Sequence, residues 1–253
     1  LIRLRLSSDP MSKPFDATLK DLAGSHVGDF VTTFDAVPTL PVRLLNVDLS
    51  TVTTAGDLVV GLGDPLQEIF HLDFQAGPDA DKPLDVVAYN VLLHRHYRVP
   101  VHSVLVLLCR QAKHKSVTGQ VVYSARPERG KMDFSYEVVR LWEWPADQLL
   151  SGPLGTLPLA VLGQLPTGVK LTDGLRAIVE GLLQRLEVEA EEGERKRLLM
   201  SAFVLRGRRL EKPQATEVFK GVKAMKESTT YMMILEEGIE KGIEKTCRPA
   251  ILK

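Results

Sequence analysis

The chain has 253 residues, 44% of them hydrophobic and 25% charged, with 32 basic and 32 acidic side chains that cancel to a net charge of zero. That composition fits an ordinary globular chain of one or two domains, long enough to fold without disulfide or metal staples. It excludes a disulfide framework, since only Cys109 and Cys247 are present, and a global electrostatic pull toward nucleic acid, so any DNA contact has to use a local patch.

Residues 1–13 read as a non-native or disordered extension. LIRLRLSSDP lacks the apolar core of a signal peptide, and Met11 opens a normal-looking start, MSKPFD. Residues 14–150 then mix short β-branched runs with helical segments and form the first domain. Between 15 and 34 the apolar residues Phe15, Leu19, Leu22, Phe30 and Phe34 recur at helical spacing. Gly24 and Gly28 weaken the middle, which predicts one broken helix or two short ones. LLNVDLSTV (44–52), DLVVGL (57–62) and EIFHLDFQA (68–76) read as strands. In the third, Ile69, His71, Asp73 and Gln75 share one face, and Phe70, Leu72 and Phe74 the other. A turn at 77–83 leads to a helix over 84–97. The strongly apolar run 99–109, with no alternation, predicts a strand buried on both faces, with Cys109 as a core residue. Strands at 120–125 and 134–144 follow, with one of Trp142 and Trp144 in the core and the other a surface or interface residue. A helix with Leu149 and Leu150 begins after Pro145.

Residues 151–253 form a helical C-terminal region. Amphipathic helices are expected at 173–188 and 194–206. A polar helical tail over 215–245 ends in EEGIEKGIEK, a solvated or partner-dependent helix. No stretch is apolar enough to span a bilayer, and the cysteine usage suits a cytoplasmic setting.

Asp73 and Gln75 project from one face of their strand, and Asp57 opens the strand before it, 16 residues earlier (73 − 57). If the two strands pair as a hairpin, Asp57 lies beside Asp73. Two adjacent carboxylates repel unless a cation sits between them, and Mg²⁺ is the hard ion that accepts one or two carboxylates and keeps its waters. The same residues also serve as turn or capping groups, and Asp–x–Gln is a short pattern; the residues alone leave both readings open. His71 shares the face of Asp73 and either lines the site or is a satisfied core or interface histidine. His94 and Arg95, at the C-terminal end of a helix, are candidate phosphate contacts. The basic residues Arg206 to Arg209 and Lys220, Lys223 and Lys226 either contact phosphate or line a solvated face.

The series AGDLVVGL, EIFHLDFQAG, a helix containing YNVLLHRHY, VPVHSVLVLL and EVVRLWEWPADQLL resembles the Rpn family. These are recombination-promoting, transposase-like nucleases of the PD-(D/E)XK superfamily. FDATLKDL resembles the family's opening helix, and KESTTYMMILEEGIEKG its C-terminal segment. The resemblance covers about residues 14 to 165. It implies an α/β fold with a restriction-endonuclease-like core, a mixed central sheet flanked by helices. It also implies an Mg²⁺-dependent DNA endonuclease with DNA as partner, a homodimer being admitted and no membrane involved. Asp57 and Asp73 match the metal ligands, and Gln75 stands where the superfamily usually has lysine. Asp16 and Lys20, one turn apart, match accessory residues of the opening helix, Lys20 being a further candidate phosphate contact. Gln75 supplies dipoles where lysine would supply charge. The alternative is a catalytically inactive chain of the same fold that binds nucleic acid or protein.

Overall fold

A computed structural model describes residues 13–34, 40–45, 58–126 and 129–209. Two helices open it, α1 (Lys13–Ser25) and α2 (Val27–Phe34). The break falls at His26, between the two glycines that weaken the helical pattern. A short strand β1 (Val42–Leu44) starts two residues before the expected strand, whose residues 46–52 lie outside the described ones. Strands β2 (Leu58–Leu62) and β3 (Glu68–Gln75) form an antiparallel hairpin, and Gly63, at φ 93°, takes the left-handed turn conformation that glycine tolerates.

Helix α3 (Lys82–Tyr97) begins two residues earlier than the sequence pattern suggests. Pro83 lies in its first turn, where a missing N–H costs nothing, so the helix extends back to Lys82. Strand β4 (Val101–Leu107) returns parallel to β3, with Asp73 opposite Leu105 and His71 opposite Ser103. Strands β5 (Gln120–Arg126) and β6 (Arg129–Ser135) make a separate two-stranded ribbon, and β7 (Glu137–Arg140) rejoins the main sheet parallel to β4. The single strand expected at 134–144 is therefore three things: the end of β6, β7, and a 3-10 turn at Leu141–Glu143. The result is a five-stranded mixed sheet, ordered β1-β2-β3-β4-β7, in which β2 alone runs against the others.

Alternation along the strands sorts side chains to two faces. Leu58, Val60 and Leu62, then Phe70, Leu72 and Phe74, then Val104 and Val106 pack into one large core. That core also holds Leu19 and Leu22 of α1 and Phe30 of α2. Four later elements complete it: α4 (Ala146–Leu150), a buried 3-10 segment (Leu154–Leu162), α5 (Leu171–Glu189) and α6 (Glu192–Leu205). The helical half is thus packed against the sheet. Phe70 and Leu72 are fully buried, each contributing about 1.5–3 kcal/mol. The opposite face carries α3, with Val59, Ile69, Tyr89 and Leu93 in one cluster and Val86, Leu105, Leu107 and Cys109 in another.

Trp142 and Trp144 do not divide into core and surface. Both are half-buried, on opposite faces: Trp144 joins the large core, 5.6 Å from the Phe34 ring, and Trp142 packs under the α3 side. Among the described residues no helix is long and apolar enough to cross a membrane.

Candidate active site at the end of the third strand

The α3 face of β3 carries the polar residues, so a helix is laid directly over them. Asp73 is buried against the first residue of that helix: its Oδ2 lies 2.5 Å from Lys82 Nζ, with the two side chains 5% and 7% exposed. A lysine at a helix N-terminus sits against the macrodipole, which favours anions there. Asp73 and the acidic residues around it offset that cost. Asp85, in the same first turn, has its carboxyl pushed up by burial; Lys82 opposes this, and Asp79, Asp73 and Asp81 add to it. The end of β3 is thus a carboxylate-rich pocket of charge organised about one ammonium.

One pleat back lies His71, 1% exposed. Its ring stacks on Tyr89 of α3 at 4.9 Å, and Nδ1 lies 3.2 Å from Ser103 Oγ on β4. Asn90 Nδ2 donates to the same Ser103 oxygen at 3.0 Å and to the Val101 carbonyl at 2.9 Å. His71 Nε2 has no hydrogen-bond partner among the described residues. Burial pushes the imidazole down to about 4; the nearby Asp73 charge opposes that and Lys82 reinforces it. His71 is therefore a neutral, buried histidine that props β3 against β4 and α3.

Gln75 turns back on its own loop, Nε2 donating to Gly77 O at 2.8 Å. The amide oxygen and the second N–H are the groups left for a ligand. Asp57 lies outside the described residues; the first described residue of β2, Leu58, pairs with Leu72, which precedes Asp73. Asp16 and Lys20 lie on α1, which packs on the other face of the sheet, and Lys20 is exposed there. His94 and Arg95 are exposed at the far end of α3, 12 residues (94 − 82) from Lys82, or about 18 Å along the axis. His94 Nδ1 is also engaged by Val99 O at 2.7 Å. These four residues are not brought to Asp73.

The basic run Arg206–Arg209 is neither a solvated face nor free for phosphate throughout. Arg206 is buried with its guanidinium 3.5 Å over the Phe203 ring, and Arg209 Nη1 donates to Val161 O and Gly163 O at 3.1 and 2.7 Å. Lys220, Lys223 and Lys226 lie outside the described residues.

Lys82 is the residue the sequence reading missed, with Asn90 and Ser103 as its lesser companions. One signal was present: a lysine next to Pro83 at a helix start, where an acidic residue is the ordinary choice. In comparisons with known proteins, no family model, curated protein or solved structure matches this chain.

Proposed function

We propose that the chain is a divalent-metal-dependent DNA endonuclease of the Rpn-like, PD-(D/E)XK type, with its site at the end of β3. The observation that carries the reading is the buried contact of Lys82 with Asp73. Gln75 cannot supply the charge that a lysine gives such a site, but Lys82 brings an ammonium to the same carboxylate from α3. Order supports the reading as well. An opening helix, an antiparallel hairpin, a crossover helix and a parallel strand follow one another as the resemblance implies.

Among the described residues no three His, Cys, Asp or Glu side chains converge as a metal cage. Mg²⁺ does not need one, since it is held through one or two carboxylates and keeps its waters for substrate phosphates. Asp73 would be one ligand and Asp57 the other. Asp57 is bonded to Leu58 and Asp73 to Leu72, and those two are cross-strand partners. A bound ion would lower the pKa of a water and stabilise charge on the phosphodiester. The protein's own groups do the rest. Lys82 balances Asp73 before substrate arrives and offers its ammonium to the phosphate oxygens. Gln75 offers its amide oxygen to orient a water. The neutral His71 holds the strand in place.

The test is nicking of supercoiled plasmid with Mg²⁺. The wild type nicks it, and Asp57→Asn and Asp73→Asn lose at least about 100-fold, as expected for removing an electrostatic transition-state contact. A folded Asp73→Asn protein that cleaves at the wild-type rate overturns the assignment.

One observation favours a second reading, a catalytically inactive chain that binds nucleic acid. Lys82 already supplies Asp73 with a counter-charge, so this carboxylate does not require a metal. Calorimetry with Mg²⁺ separates the two: millimolar or tighter binding that is lost in Asp73→Asn supports the nuclease, and no binding supports the inactive module.

A further inference from the structure

The ends of β4 and β7 carry a second feature, on the same end of the sheet as Asp73. Past β4 the chain makes a 3-10 turn at Arg110–Ala112, and past β7 it makes the turn at Leu141–Glu143. A cavity of about 390 Å³ opens there, lined by Arg110, Lys113, Trp142, Glu143 and Gln164. Its size falls in the range of small-ligand sites, roughly 300–1,000 Å³. Its position, at the carboxyl ends of parallel strands, is where open α/β sheets take their ligands. The segment that forms it is stitched to the loop after Asp73: Leu108 N donates to Gln75 O, Cys109 Sγ to Ala76 O and Ser116 Oγ to Ala80 O, at 3.0, 3.2 and 2.9 Å.

The charges in the cavity are unbalanced. Arg110 and Lys113 are both exposed, and neither joins an ion pair among the described residues. Behind them Arg209 is fixed on two carbonyl oxygens, and its protonated form is disfavoured by burial and then by the charge of Arg110. An anion beside Arg110 would relieve that repulsion, and Lys113 lines the same cavity. Half-buried Trp142 adds an aromatic side chain to the lining, and Glu143 and Gln164 add an acceptor and an amide. Two cations beside an indole are the recognition set for a nucleotide of a single strand: phosphate on the cations, base on the ring.

We propose that this cavity binds a nucleotide of single-stranded DNA, its phosphate held by Arg110 and Lys113 and its base stacked on Trp142. The choice of DNA rests on the nuclease reading; the chemistry of the site does not. It also answers the zero net charge, since binding is confined to one local patch.

The experiment is fluorescence anisotropy of 5′-labelled dT8 with the full chain in EDTA, at 50 to 200 mM salt, with thermal melts of each variant. The double variant Arg110→Gln/Lys113→Gln is expected to bind at least about tenfold more weakly at low salt. Its log–log salt slope should be shallower by about 0.7, the value for one neutralised phosphate on a single strand. Trp142→Leu should lose about 5- to 100-fold with its salt slope unchanged, and Trp142→Phe should keep most of the affinity. The proposal is overturned if the double variant binds like wild type, if Trp142→Leu does, if duplex DNA binds more tightly than dT8, or if inorganic phosphate displaces dT8 as well as dTMP does. Because EDTA removes any metal, the result stands apart from cleavage. Tight dT8 binding without plasmid nicking would count against the nuclease alone. Nicking by wild type with dT8 binding untouched in the double variant would count against the cavity alone.

Discussion

Removing the ammonium of Lys82 is the perturbation with the largest consequence. Both side chains of the Asp73–Lys82 pair are more than nine-tenths buried. A buried pair that loses one partner leaves an unpaired charge in a poor solvent, which costs about 3–5 kcal/mol. For a chain of this size each kcal/mol moves the melting temperature by about 2–4 °C, so Lys82→Met should lower it by roughly 6–20 °C. Replacing both partners removes the unpaired charge of the pair, although Asp85 then loses the ammonium that opposes its raised pKa. Asp73→Leu/Lys82→Met should recover most of the loss of the single variants, because apolar replacement of a buried pair is often neutral or better. Urea melts of wild type, both single variants and the double close the cycle. A second readout comes from His71, whose pKa Lys82 helps to depress and Asp73 raises. By NMR, Lys82→Met should move the His71 titration upward and Asp73→Leu downward. A Lys82→Met cost below about 1 kcal/mol, or a double variant whose loss equals the sum of the singles, would refute a buried, coupled pair.

His71 also sets a pH dependence. Its folded pKa, about 4, lies below the ordinary 6.5, so the unfolded chain takes up a proton first as pH falls. The stabilising contribution is complete above pH 6.5 and is lost between 6.5 and 4, about 3 kcal/mol in all at 1.36 kcal/mol per unit. His71→Phe, which keeps the ring on Tyr89, should flatten that fall in urea melts; an unchanged profile would contradict it. Gly155→Ala should cost at least about 2 kcal/mol, because a Cβ there would stand 2.1 Å from His26 Cβ, a rigid neighbour. The same glycine donates its N–H to Asp29 Oδ2 at 2.6 Å, tying the buried 3-10 segment to α2. Urea melts check the cost, and a Gly155→Ala protein as stable as wild type would refute the clash.

The sequence carried most of the sheet because alternation is a local signal. EIFHLDFQ declares its two faces residue by residue, and the structure puts Phe70, Leu72 and Phe74 in one core and Ile69, His71 and Asp73 under α3. The helix break at His26, between Gly24 and Gly28, and the strongly apolar β4 were legible because they too are local signals. RGKMD, the first five residues of β6, gives no strand signal, since β6 is half of a two-stranded ribbon and carries little apolar pattern. The helix starting at Lys82 was placed late because a charged residue before proline looks like turn. Long-range pairings were invisible altogether. Nothing local says that Lys82 closes on Asp73, that Arg209 is spent on Val161 and Gly163, or that Gln75 folds back on Gly77. Those depend on where α3 and the C-terminal helices land, and they changed the candidate site more than any strand boundary did.

The most direct measurement is the rate of plasmid nicking in Mg²⁺ by wild type and by Lys82→Gln, at a temperature where melts show both folded. A nuclease whose missing lysine is supplied from α3 nicks as wild type and slows by at least about 100-fold in the variant. Equal rates in the two proteins, or no metal-dependent nicking by wild type, would contradict it.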